Sequence, residues 1–149
     1  MINLLDQTLK PLLEQNLSHL ENLTIYFDSP DDKFAPDPPA VDLFLYDVRE
    51  NLELRSNEWL TERDNATATS KPPPVRVDCS YLATAWGSDA ENEHHLLGEV
   101  MKVLLRNATI PADVLQEKLR EQELPLPTSA LQTGYLQSLG EFWQALGGK

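Results

Sequence analysis

Cys79 is the single thiol of the chain, and the adjacent histidines His94 and His95 are the nearest residues that could serve it as a base. A catalytic thiol needs an electropositive pocket that lowers its pKa. Nothing in the sequence supplies one. Cys79 shares one strand face with Val77, Tyr81, Ala83 and Ala85, which is where a small core residue belongs. Glu91, His94, His95 and Glu99 lie three and four residues apart in a segment of helical periodicity, a spacing that brings side chains together. Carboxylate-bridged metal sites use such spacing, but with matching ligands from other helices. The only other histidine is His19, and no second Glu-x-x-His occurs. A polar helix start whose histidines shade the sheet edge is the better reading of the cluster. The aspartates between Asp28 and Asp47 lack the ligand order and central glycine of an EF-hand. No Walker A loop, dinucleotide-binding glycine fingerprint, Gly-x-Ser-x-Gly or His-Glu-x-x-His is present. The expectation is a protein without catalytic residues, cofactor or metal.

The elements that carry these residues fit one folded unit. The 149 residues include 24 acidic and 12 basic side chains, a formal charge of −12. That length suits a single domain spanning residues 1–149, large enough to bury a core without disulfides or a structural metal. The basic residues are scattered singly, which argues against nucleic-acid binding, since neutralising phosphates takes a clustered basic face. No apolar run reaches the roughly 20 residues that span a bilayer, and the N-terminus lacks the basic start of a signal peptide. The Asn-x-Ser/Thr triplets at Asn16, Asn22, Asn65 and Asn107 are therefore read as coincidental.

Apolar spacing at Ile2, Leu5, Leu9, Leu12 and Leu13 predicts a first helix through Gln15, kinked or broken at Pro11. Residues 23–28 (LTIYFD) read as a strand, and residues 29–39, with four prolines and three aspartates, as a loop. Residues 41–48 (VDLFLYDV) form the strongest strand, apolar on both faces and hence covered twice, or once with a partner on the other side. It is expected to run on toward Arg55. Residues 61–71 (TERDNATATSK) read as a polar, flexible insert, and residues 75–86 as the next strand. Ser88 or Asp89 caps a helix with Leu96, Leu97, Val100, Met101, Leu104 and Leu105 as its buried stripe. Pro111 opens a third helix, and a fourth carries Tyr135, Phe142, Trp143 and Leu146. This is an α+β fold: one mixed or antiparallel sheet packed against helices.

Aromatic and charged residues interleave on the strands. Phe44, Tyr46, Arg49, Glu50, Asn51 and Arg55 follow one another on one extended segment, and Tyr81 and Trp86 on another. Core plus rim is one reading. A protein–protein surface, with Phe44, Tyr46, Arg49, Glu50, Asn51, Arg55 and Trp86 as its contacts, is the other.

Residues 41–55 (VDLFLYDVRENLELR), residues 72–86 (PPPVRVDCSYLATAW), the helix EHHLLGEVMKVLL, residues 110–126 and FWQALGG together resemble, in that order, the cap or tail-terminator family of contractile injection systems. These are phage-tail-like particles of the antifeeding-prophage and virulence-cassette type. The resemblance covers nearly the whole chain. It implies a tail-terminator-like fold and a structural, non-enzymatic protein. It further implies a homo-hexameric ring on the distal end of the inner tube, which stops tube growth and holds the last sheath layer. The implied partners are other copies of the chain, the tube protein and the sheath protein, without direct membrane insertion. The implied setting is the bacterial cytoplasm during assembly, within a particle that can be released. The family pattern runs past the tryptophan helix into a further strand, which would then lie beyond Lys149. A baseplate or adaptor component of the same particle, or a small metalloprotein built on His94, His95 and Cys79, are the alternatives.

Overall fold

The structure is a computed structural model that describes residues 2–29, 33–55, 60–64, 67–122 and 124–131. The fold is α+β, as the sequence predicts. Helix α1 (Asn3–Asn16) is followed by strands β1 (Thr24–Tyr26) and β2 (Ala40–Glu50), β3 (Leu60–Asp64), β4 (Thr67–Lys71) and β5 (Val77–Trp86). Helices α2 (Ala90–Arg106) and α3 (Glu117–Arg120) close the order. The expected fourth helix lies outside the described residues. By packing, the chain divides into two compact units: Met1–Phe44 with Leu82–Lys149, and Leu45–Tyr81.

A three-stranded mixed sheet runs in the order β1-β2-β5. β1 and β2 are parallel, with Thr24 opposite Ala40 and Tyr26 opposite Asp42. Parallel neighbours need a crossover connection, and residues 27–39 provide it. Alternation puts Ile25, Val41 and Leu43 on one face, and the buried core holds them with Ala85, with Leu9, Leu12, Leu13 and Leu17 of the α1 region and with Leu96, Val100 and Val103 of α2. The other face carries Tyr26 and Asp42. The ring of Phe34, from the crossover, meets Tyr26 edge-on at 5.5 Å and Trp86 at 5.4 Å. Because β1 and β5 flank β2, that ring bridges over the central strand. The double covering expected for β2 is thus made by helices on one side and by the crossover on the other.

α1 runs through Pro11 without the expected break. Proline has no N–H for the carbonyl four residues back, here Gln7. The Gln116 side chain repairs this: its Nε2 donates to the Gln7 carbonyl oxygen at 3.1 Å, and the Gln116 backbone N–H reaches Thr8 Oγ1 at 3.5 Å. The repair comes from a segment more than a hundred residues away, so no local pattern announces it.

α2 starts where the sequence places it. The Asp89 side chain accepts from Asn92 N–H at 2.9 Å, and that backbone bond above all holds the carboxyl below its usual pKa. Gly87, just before, has no alternative: a Cβ there would come within 2.9 Å of Glu93 N. Along α2 the buried stripe is Leu96, Val100 and Val103. Leu105, expected inside, is exposed, because the 3.6-residue period carries it past the stripe's edge. The region after Pro111 forms turns and only the four-residue α3, yet still buries Val114 and Leu119.

In the unit Leu45–Tyr81, β2 stops at Glu50 instead of continuing to Arg55. Asn51 ends it: its Oδ1 accepts from Leu54 N–H at 2.9 Å and turns the chain. Residues 61–71 are not an unstructured linker, for β3 and β4 pair antiparallel, with Leu60 opposite Lys71 and Asp64 opposite Thr67. Three threonines (61, 67 and 69) favour a strand despite the low hydrophobicity.

The Gln116 repair can be measured by a double-mutant cycle. Gln116→Ala is expected to cost about 0.5–1.5 kcal/mol in urea unfolding. In a Pro11→Ala background, where residue 11 regains its N–H, the cost should shrink. Equal costs in both backgrounds would show that Gln116 does not serve the carbonyl freed by proline.

Candidate functional site

The residues with chemical potential do not assemble a reaction centre among the described residues. Cys79 is half-buried in β5, and His94 and His95 are exposed on the first turns of α2. Glu99 is the hub of an ion-pair group: Lys102 Nζ binds its Oε1, and His19 Nε2 lies 3.8 Å from its Oε2. The Lys102 hydrogen bond is the main reason that the Glu99 carboxyl sits below its usual pKa. That holds it ionised and unsuited to protonating a substrate. No group of three or more His, Cys, Asp or Glu among the described residues is arranged to hold a metal ion.

The contact residues expected from sequence fall in both units. Phe44 is half-buried in the first unit, as is Trp86, whose Nε1 donates to Thr84 Oγ1 at 3.2 Å beside the Phe34 ring. In the second unit Tyr46 is half-buried and the rest form a polar end to the β2–β5 ribbon. Arg49 Nε pairs with Asp47 Oδ2 at 2.6 Å and Arg55 Nε with Glu50 Oε1 at 3.4 Å. Asn51 donates from Nδ2 to Asp78 Oδ1 at 3.0 Å and from its backbone N–H to the Arg76 carbonyl at 2.9 Å. Asn51 is therefore a clamp between the end of β2 and the start of β5. The arginine pairs are solvent-exposed, a setting where an ion pair contributes about 0–1 kcal/mol.

Two features carry more than the sequence shows. The first is Asp42, which sits within VDLFLYDV and is completely buried. Its Oδ1 accepts from Asp28 N–H at 2.9 Å, which ties the start of the crossover to β2. Its Oδ2 has no partner. Burial, first, and the nearby Asp28 charge raise its pKa to about 6, against the pull of the Asp28 and Leu43 backbone N–H groups. The only signal in the sequence is an acid inside an apolar strand. The second feature is the set of apolar side chains left in solvent around the ribbon's polar end. Val48, Leu52, Leu54, Val75 and Val77 are all exposed, although alternation alone reads the strand residues among them as covered.

The described residues thus form an α+β sheet-and-helix fold with exposed apolar and charged surfaces. Residues 4–149 match the family model of the Pvc16 N-terminal domain, and the chain belongs to that family. Among solved structures, it is similar to the sheath/tube terminator of PVC, an extracellular contractile injection system, seen in the extended state. Identity is 27%, the TM-score is 0.74, and the match covers 100% of this chain and 51% of the other. The chain thus spans about half the length of that terminator. The match is to a structural protein, not to an enzyme. No curated protein sequence matches the chain. Among the described residues, no helix is long and apolar enough to cross a membrane.

Two outcomes follow for the titratable residues. Asp42 binds its proton more tightly when folded, at a pKa of about 6, than when unfolded. Its ionisation therefore costs the folded state stability as pH rises from about 4 through 6, by on the order of 2–3 kcal/mol in full. Asp42→Asn keeps an acceptor for Asp28 and removes the charge. Its melting temperature should exceed that of the wild type at pH 8, and the gap should close by pH 4. A gap independent of pH would refute the buried-charge assignment. Cys79→Ser combined with His94→Gln and His95→Gln should leave the far-ultraviolet circular dichroism and particle assembly unchanged. Stoichiometric zinc or iron in untagged protein, lost in the His variant, would reverse that conclusion.

Proposed function

We propose that this chain is the terminator domain of a contractile injection particle: it caps the inner tube at its distal end and holds the last layer of sheath. The observation that carries this reading is the likeness, over the whole chain, to the PVC sheath/tube terminator. The unbroken family match from residue 4 to residue 149 supports treating both compact units as one functional domain. The protein acts without catalysis, cofactor or metal. Its copies close a sixfold ring, it assembles in the bacterial cytoplasm, and it leaves the cell as part of the particle. Ring closure needs two different complementary patches on every subunit. The polar end of the ribbon, with Arg49, Glu50, Asn51 and Arg55, lies in one candidate contact region, and Tyr46, Phe44 and Trp86 complete the set read from the sequence.

Termination has a thermodynamic requirement: the cap must bind the tube end more favourably than another tube ring does. A strain lacking this protein should therefore build baseplates normally and carry tubes and sheaths of uncontrolled length, or sheaths that fall away. Electron microscopy of purified particles measures the length distribution. A deletion strain with the wild-type length distribution would eliminate the terminator role.

A further inference from the structure

The crossover is held to the sheet at its base, at its start and on its returning limb. At the base, Thr24 N–H donates to the Pro39 carbonyl at 3.1 Å, beside the pairing of β1 with β2. At the start, Asp28 N–H donates to Asp42 Oδ1 at 2.9 Å. On the returning limb, the Phe34 ring lies edge-on to Tyr26 and Trp86. All of these residues belong to the same compact unit. Between the contacts the crossover faces water: Asp28, Lys33, Ala35, Asp37 and Pro38 are exposed.

The contact at the start depends on a proton. Asp42 is 0% exposed, and its Oδ2 has no partner. An ionised carboxylate there lacks both water and a donor for one oxygen, a cost that the neutral acid largely escapes. Few other charges bear on it. Asp28 is the ionisable neighbour whose charge reaches Asp42, and it repels. Tyr26 lies opposite in the β1 register, and residues 82–86 of β5 (LATAW) contain no ionisable group. Asp31 and Asp32 lie outside the described residues. α1 and α2 cover the opposite face, so water reaches Asp42 with least disruption where the crossover lies on the sheet.

We propose that Asp42 is a pH-sensitive catch: when it ionises, the Asp28 bond and the Phe34 seat give way together, while the helix-covered core stays folded. The closed form binds the Asp42 proton more tightly, at a pKa of about 6 against an ordinary 3.8. Closure therefore has its full advantage below about pH 4 and weakens as pH rises to about 6. Release uncovers Tyr26 and Trp86, so the event that hydrates Asp42 also changes the face that the sheet presents. The catch does not depend on the cap reading.

Amide hydrogen exchange of the purified chain, read by NMR, tests it. The Asp28 amide should open more readily than the Leu96 and Val100 amides of α2, which exchange through global unfolding. After correction for intrinsic exchange, its opening equilibrium should rise about a hundredfold between pH 4 and pH 6 and level off above that. Asp42→Asn keeps an acceptor for Asp28 and should flatten this profile. Phe34→Ala should raise opening at every pH without flattening it. Circular dichroism confirms that each variant folds, and the wild-type profile decides alone if one does not. An Asp28 amide that exchanges as slowly as those of Leu96 and Val100 overturns the proposal. So do a flat wild-type profile, an Asp42→Asn chain that keeps the rise, and a Phe34→Ala chain with unchanged Asp28 exchange.

Discussion

Residues 40–43 are almost wholly withdrawn from water, and a strand segment buried on every side has to be covered on both faces. Most of the first unit follows from that constraint. One face is met by α1 and α2, whose leucines and valines fall at helical spacing. The other is met by the crossover that parallel pairing of β1 and β2 already requires, with Phe34 set between Tyr26 and Trp86. The constraint also exposes the weak point of the arrangement. Asp42 sits inside the covered segment, and one of its oxygens has no partner. Its other oxygen secures the crossover at Asp28. Asp42 thus combines an anchoring bond with a solvation cost in one side chain.

Much of this was legible in the sequence because the signals are local. The α2 cap, its acidic first turn and the two-faced apolar pattern of residues 41–48 each reflect interactions within a few residues. The differences arise where distant groups intervene. Pro11 reads as a helix breaker because the donor that compensates it, Gln116, is remote. The end of β2 depends on whether the Asn51 side chain bonds along the strand or turns the chain, and composition does not distinguish the two. Residues 61–71 are poor in apolar side chains, yet cross-strand pairing makes them a hairpin. The exposed end of the ribbon was legible only in part: residue types pick out Arg49, Glu50 and Asn51 as its polar residues, whereas the exposure of Leu52 and Val75 depends on how the ribbon ends.

The exposed surfaces of the described residues are built by short devices: an asparagine clamp, a four-residue turn and a helix end fastened by Thr128. The family match and the likeness to the PVC sheath/tube terminator are what support the proposed cap role.

The bond between Gln116 and the Gln7 carbonyl joins the first helix to a segment 109 residues later. Chains are synthesised at about 5–20 residues per second. At such rates α1 leaves the ribosome roughly 5–20 s before the group that completes it exists. During that interval the segment lacks the partner that matches its Gln7 carbonyl, and a 14-residue stretch with an internal proline is at best a marginal helix on its own. The order of synthesis therefore delays the completion of α1 until the segment that carries Gln116 has emerged.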